Sequence, residues 1–508
     1  MKGRKVIYTD YKEIDDSNII EVLTNAYGKH IGNAAEISFL LNYESGEVNP
    51  IREKVYRKEI HNFIPDSLAN YITEFKLGFE WGNPFTFVQS DDDDVEDNDM
   101  LTKAISLTNQ NYRKQKIGKK QQELGRFVEI CGVGYTYVDV NTSNRSTDSP
   151  FTVDVLHPGF TFVVRSTAYT DKRIVLGVSF RTENIKGKKR KIFDCFTDTT
   201  RYTVVGLKEI TYKEMNPLGK IPIVEWIRSY DRQGCFERLI PLIDSLTASI
   251  SSFLDGVQGN TDTIWWGSDI EFPVNEIENE DGTITEEVIK PKDGDWLITQ
   301  SNRDGKAPSV KPLTVDYDYK GQLENIVATR SHILSLAHVP QRNDNSGGST
   351  GVAMDDAAGW TDAEADACRK QLLLDGSKME ELELVTYVYQ VNPKVDAESP
   401  LSKLEYSDCA VSFKRSKQYE MTVKVNAIST LLGHGFALED TLNGVAMFED
   451  PNQVVARSGE GVKRYQDANV FKDSNTSEPK LMADLSDQQT NSPLIGGMSK
   501  QEAIEVEE

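Results

Sequence analysis

Between Asp231 and Trp360 the apolar residues recur at the i, i+3, i+4, i+7 spacing of a single helical face. The outgoing run holds Leu239, Leu242, Ile243, Leu246, Ile250, Phe253, Leu254 and Val257; the returning run holds Tyr319, Leu323, Ile326, Val327, Ile333, Leu334 and Ala337. Each run predicts a helix of about 25 residues, roughly 35 to 40 Å at 1.5 Å per residue. Each also carries only one narrow stripe, so the pair cannot form a core alone and needs neighbouring copies to cover it. Between the runs, Asp269 to Phe272, Thr283 to Ile289 and Asp295 to Thr299 read as short strands joined by Asp-Gly turns. Pro340 stops the returning helix, and Arg342-Asn343-Asp344-Asn345-Ser346-Gly347-Gly348-Ser349-Thr350-Gly351 reads as a flexible polar loop.

Elsewhere the chain alternates between the two periods. Asn18 to Lys29 and Ala34 to Asn42 read as helical, as do Asn70 to Gly78 and Leu101 to Ile130. Gly78 to Pro84 is a breaker before a strand at Phe85 to Val88. Alternation at Gly132 to Asp139, Phe151 to Val155, Thr161 to Val164, Ile174 to Arg181, Lys191 to Thr197 and Tyr202 to Gly206 predicts a β-rich middle. A helix of more than 30 residues resumes near Gly351 to Trp360 and runs to Tyr389. It is followed by a strand at Cys409 to Phe413 and helices at Gln418 to Leu432, Leu438 to Val445 and Pro451 to Gln466. From Asp467 the chain turns polar, and Ser474 to Glu508 reads as a disordered acidic tail.

At 508 residues the chain exceeds one core, and length suggests about three domains. No apolar run reaches 18 residues and the N-terminus lacks a signal-type apolar segment, which speaks against membrane spanning and secretion. The five cysteines stand singly and read as free thiols in a reducing cytoplasm. The formal charge of −23 argues against a protein built to grip nucleic acid, because phosphate neutralisation supplies much of such affinity. It suits a surface that DNA slides past, and equally any soluble protein. Residues 267–314 alone hold eleven acidic and five basic residues. The basic run Lys186, Lys188, Lys189, Arg190 and Lys191 reads as a charged hairpin tip rather than a DNA patch.

Reactive constellations are missing from the sequence. The histidines show no metal-ligand spacing, and there is no nucleophile elbow, Walker loop or dinucleotide fingerprint. Asp91 to Asp94 with Glu96, Asp97 and Asp99 lacks the alternation of a calcium loop and reads as a solvated acidic loop. No cofactor, metal or catalytic residue is expected. So large a chain without a reactive site points to a structural or scaffold protein.

The order of short motifs carries a resemblance. Leu41 to Gly46, Tyr71 to Pro84, Ile130 to Tyr135, Asn216 to Glu225, Leu239 to Asp244, Ser349 to Met354 and Leu431 to Pro451 follow one another as in the portal proteins of tailed double-stranded-DNA phages. The similarity is to the long-tailed type of Gram-positive hosts and covers roughly residues 38–465. Departures are Asp355 where a Lys is usual, His434 and Ala437-Leu438 where the family has Ile-Ser, and Ser245-Leu246 after Asp244.

The resemblance implies an α+β portal fold in a ring homo-oligomer, most often of 12 subunits, in the virion at one capsid vertex. It implies an N-terminal arm and β-rich wing over 1–230, stem helices over 231–266 and 315–340, and a small clip over 267–314. A tunnel-loop region over 341–360, a long wing helix and return strand over 361–415, a mainly helical crown over 416–466 and the tail over 467–508 complete it. Double-stranded DNA would pass the loop residues Arg342, Asn343, Asp344, Asn345, Ser346, Ser349 and Thr350 without sequence reading. The packaging terminase large subunit and then a head-completion adaptor would dock on Glu276, Glu278, Asp281, Glu286, Glu287, Lys290, Lys292 and Arg303. Major capsid and scaffolding proteins would meet the ring from outside. Leu246, Ile250, Phe253, Leu323, Val327 and Ile333 would pack between subunits of the stem. Two other readings stand beside this one: a head-tail connector or scaffold without a packaging role, and a metal-dependent nuclease built on Asp91 to Asp99.

Overall fold

The alternating segments of the middle form two sheets rather than one. The computed structural model describes residues 3–51, 61–90, 99–142, 148–168, 172–185, 187–261, 318–341, 359–413, 415, 421–436, 438–445, 454 and 458. Of 259–312 it describes only backbone, in helix or strand segments. Two units are distinguished, Met1–Lys417 and Gln418–Glu508.

In the first unit, strands β1 (Ile7–Thr9), β5 (Thr161–Ser166), β6 (Ile174–Ile185), β7 (Lys188–Phe196), β8 (Thr200–Val205) and β9 (Glu209–Met215) form a six-stranded sheet in the order β1-β5-β6-β7-β8-β9. Only β1 and β5 pair in parallel. Strands β3 (Val133–Val140), β4 (Phe151–Leu156) and β10 (Ile223–Ile227) form a three-stranded sheet in the order β10-β3-β4, and β2 (Thr86–Gln89) pairs with β17 (Cys409–Ser412). β9 was absent from the sequence expectation because its alternation is almost wholly polar, as suits a solvated edge strand.

Alternation along these strands separates three cores. Val138 and Val153 face a first core with Trp81, Tyr112, Leu382 and Val385. On the other face, Val133 and Tyr135 join Val163 and Phe196 of the larger sheet in a second core. Phe162, Val164, Phe180 and Tyr202 turn the opposite way, into a third. Gly177 permits the two sheets to approach: a Cβ there would lie 2.8 Å from a methyl of Ile221.

Helix α1 (Ile19–Glu44) is one continuous helix across the break expected near Lys29. Gly28 and Gly32 lie in open space, and the cost of two helical glycines, about 1 kcal/mol each, is outweighed by the core contacts on either side of them. α1 carries Ile19 to Ala26 in the third core and Ile37 to Tyr43 in the second. Conversely, the stretch expected as one helix over 101–130 is two, α3 (Asp99–Lys114) and α4 (Ile117–Cys131), broken at Lys116 in a left-handed conformation, φ 54°. With α2 (Leu68–Glu80) and the 32-residue α7 (Trp360–Val391) they enclose the first core.

The two helices of the central stretch are α5 (Ile240–Thr261) and α6 (Tyr319–Leu336), 22 and 18 residues long, shorter than expected. A 3-10 turn, Glu237–Leu239, precedes α5, and Pro241 sits in the first helical turn, where its missing N–H leaves no bond unmade. Between them the backbone forms nested antiparallel pairs: β11 (Trp265–Ser268) with β16 (Ser309–Pro312), β12 (Ile270–Glu271) with β15 (Gln300–Ser301), and β13 (Val274–Glu278) with β14 (Ile284–Val288). The strand expected at Asp295 to Thr299, the acidic run at 91–98 and the helix and tail beyond 450, except two positions, lie outside the described residues. The second unit contributes α8 (Met421–Gly433) and α9 (Leu438–Val445).

Gly125 of α4 faces the fully buried Trp81, where a Cβ would lie 2.5 Å from the indole. Gly125→Ala gains about 1 kcal/mol of helix propensity but forces a rigid ring aside, which costs about 1 to 3 kcal/mol. The expected outcome is net destabilisation of the first unit, read as a lower urea midpoint at unchanged slope.

Candidate inter-subunit and channel site

The start of α5 is held from three sides. Leu239, Ile243 and Leu246 enter the second core with Phe236. Tyr43 of α1 donates to Asp244 at 2.7 Å. Arg4 of the N-terminal arm bonds Glu237 at 2.6 Å and the carbonyl of Cys131 at 3.1 Å, all with buried side chains or backbone. Further out, the segment before α2 runs along α5: Asn62 donates backbone and side-chain N–H groups to Asp255 at 2.9 and 2.8 Å. The same segment reaches α6, where Arg330 pairs with Asp66 at 3.3 Å.

The two helices are antiparallel, with Phe253 late in α5 meeting Tyr319 at the start of α6, ring centroids 6.1 Å apart. Burial divides the apolar positions of α6, expected as one face, into two sets. Ile326, Ile333 and Leu334 join the second core. Tyr319, Leu323 and Val327, at i, i+4 and i+8, are 36%, 52% and 60% exposed. Val257 near the end of α5 is exposed too.

Residues 342–358, outside the described set, leave from a fixed base. Pro340 and Gly359 are adjacent, with the Cβ position of Gly359 3.9 Å from the Cα of Pro340. One helix, α2, holds both ends: Lys76 donates to the carbonyl of His338 at 3.5 Å, while Phe75 and Phe79 stack against Trp360 at 6.0 and 5.8 Å between centroids.

Lys76 belongs to a buried set of three cations and three anions. Its Nζ lies 2.8 Å from Asp366 and 3.9 Å from Glu80. Lys370 pairs with Glu80 and lies 3.3 Å from Asp366 and 3.6 Å from Glu129. Arg228, just after β10, reaches Glu129 at 2.9 Å and Asp366 at 3.7 Å, and the indole N–H of Trp81 donates to Glu129 at 3.3 Å. Burial on its own would raise the carboxyl of Asp366, but Lys370, Lys76 and Arg228 overcome it and hold that group well below the usual carboxylate range. Glu129 is likewise lowered, against burial, by Lys370 and Arg228. For Glu80 burial prevails and its carboxyl is raised.

The family model for phage portal proteins of the SPP1 Gp6-like type matches residues 27–461. The chain belongs to the phage portal protein family. Among curated proteins none matches. One solved structure that resembles it is titled "Neck of empty GTA particle computed with C6 symmetry"; it is 12% identical, covers 79% of this chain and 95% of that chain, and has a TM-score of 0.38. As a portal protein the chain is a virion component of α+β fold, a ring homo-oligomer associated with the capsid and forming a channel for DNA.

The positions singled out in the sequence fall unevenly on this portal subunit. Leu323 and Val327 are exposed on α6, and Ile250 and Phe253 are half-buried. Leu246 and Ile333, expected between subunits, are instead fully buried in the second core of their own subunit, because the 3.6-residue period marks an apolar face without saying what covers it. Glu276, Glu278, Glu286 and Glu287 lie on β13 and β14, described by backbone alone. Asp281, Lys290, Lys292, Arg303, Arg342, Asn343, Asp344, Asn345, Ser346, Ser349 and Thr350 lie outside the described residues.

The buried charges went unread in the sequence. Lys76 with Glu80 and Asp366 with Lys370 are i, i+4 pairs, which ordinarily mark a solvated helix face. The signal available was the company Lys76 keeps: it sits between Phe75 and Leu77, in the run Tyr71 to Pro84.

Asp366→Asn leaves buried cations short of an anion, and the expected loss of stability is about 3 to 5 kcal/mol at neutral pH. Because the folded group titrates below its unfolded value, about 3.9, its contribution is full above that value and is lost as pH falls below it. Urea melts at pH 5 and pH 3 check this: the wild type loses more stability between the two than Asp366→Asn does.

Proposed function

We propose that α5 and α6 are the stem of the portal, with the ring closed by the Tyr319, Leu323 and Val327 stripe of each subunit packing on its neighbour. The observation that carries this reading is the exposure of that stripe on a helix whose other apolar positions are buried. A heterologous contact repeated around an axis closes such a ring, and 12 copies is the number we expect. The nested ribbon β11 to β16 is the clip, where a terminase large subunit docks during packaging and a head-completion adaptor afterwards. A two-stranded ribbon is marginal in isolation, so partners on either side stabilise it.

In the same reading the loop over 342–350 is the tunnel loop facing DNA, the two sheets and outer helices are the wing against the capsid shell and scaffolding protein, and α8 and α9 belong to the crown. The subunit acts without catalysing a reaction. Its charge of −23 disfavours lasting phosphate contacts, so the duplex slides rather than binds, and the loop follows the backbone without reading bases.

Leu323→Asp with Val327→Asp tests the stem. Both side chains are solvent-exposed in the subunit, so its thermal midpoint stays within a few degrees of wild type. Ring formation is expected to fall at least about tenfold, since each charge would be buried unpaired against a neighbour. Negative-stain microscopy with mass measurement of the assembly reads the result, and intact rings would remove these residues from the interface.

A further inference from the structure

The basic hairpin at the end of β6 and β7 is a feature that neither stem nor channel uses. Lys188, Lys189, Arg190 and Lys191 are all exposed. Together with Lys208 in the turn between β8 and β9 they line a concavity of about 460 Å³, floored by Phe193 and Leu207. Leu207 sits at φ 61°, a left-handed conformation disfavoured for any residue with a Cβ, and that turn forms one wall. Lys191 is drawn back over the rings of Tyr27 and Phe180, 4.8 and 5.7 Å from their centroids.

The remaining three cations are left open. Among the described residues Lys188, Lys189 and Arg190 form no ion pair. The one carboxylate in register with Arg190 across the ladder, Glu183, pairs with Arg181 at 2.6 Å instead.

We infer that this concavity receives the acidic run of the neighbouring subunit in the ring: Asp91, Asp92, Asp93, Asp94, Glu96 and Asp97. Three observations argue for a second copy as occupant. A ring needs two different, complementary patches on each subunit, because one subunit's leading face meets the next one's trailing face. These six carboxylates in seven positions are the densest negative run in the sequence, and the hairpin is the densest positive one. Finally, the two belong to different layers. The acidic run joins β2 to α3 beside the first core, the hairpin closes the sheet over the third, and both sheets and the second core lie between. A subunit so built presents opposite charges on opposite flanks.

Subunits of charge −23 repel one another, and a local pairing of this kind offsets that repulsion where they touch. The same net charge disfavours nucleic acid as the occupant.

The inference rests on the ring reading, and the experiment separates the two. One variant carries Lys188→Glu, Lys189→Glu and Arg190→Glu; a second carries Asp92→Lys, Asp93→Lys and Asp94→Lys. Wild type that forms no ring would count against the ring itself. With wild-type rings in hand, each variant alone is expected to assemble at least about tenfold more weakly at 0.1 M NaCl. An equimolar mixture is expected to recover rings, because every contact between unlike copies is then oppositely charged. Wild-type subunit association is expected to weaken at least about tenfold between 0.1 and 1 M NaCl, where the screening length falls from about 10 to 3 Å. Variants that assemble like wild type, a mixture that fails to recover, or salt-insensitive association would each overturn the proposal. So would rings of the hairpin variant that persist but no longer retain a short DNA duplex that wild type retains.

Discussion

Six charged side chains with almost no access to water meet where α2, α4, α7 and the end of β10 converge. Their numbers balance, Lys76, Lys370 and Arg228 against Glu80, Glu129 and Asp366. Each is reached by at least two partners of opposite sign within 4 Å. Dehydrating such groups costs several kcal/mol per ion unless every one is matched, so the arrangement tolerates little sliding of one helix past another. The register of the helices around the first core is thereby tied to the base of the segment leaving at Pro340 and returning at Gly359. Lys76 takes part in both, and the rings on either side of its helix turn hold Trp360.

A second constraint acts at the other end of the subunit. The root of α5 is over-determined, with apolar residues in the second core, Tyr43 on Asp244 and Arg4 on Glu237. Beyond that root α6 keeps Tyr319, Leu323 and Val327 in water, and the chain continues into a ribbon two strands wide. A rigid root with an unsatisfied far end is what a ring-forming subunit requires: the direction of the helices is set before assembly, and assembly completes their burial. The proposed stem interface follows from that division.

Charge organises what surrounds these elements. A strongly negative subunit suits a channel through which a polyanion must move without adhering. The same charge opposes bringing copies together, so attraction has to be local. An open basic concavity on one flank and a dense acidic run on the other provide such an attraction without altering the overall sign.

Much of this was legible in the sequence, for identifiable reasons. Period-2 alternation located nearly every strand of the β-rich middle, period-3.6 spacing located α2, α5, α6 and α7, and Pro340 marked the end of α6. The ordered motifs from Leu41 to Pro451 pointed to the portal family. What the sequence left open concerns the partner of each face. Leu246 and Leu323 obey the same spacing, yet one is buried in its own subunit and the other is bare. Lys76 and Glu80 have the spacing of a solvated pair, yet they are enclosed. Periodicity records which residues avoid water or tolerate it along one element. Which surface covers them depends on contacts between residues as much as 290 positions apart, such as Lys76 with Asp366, and only the folded chain brings those together.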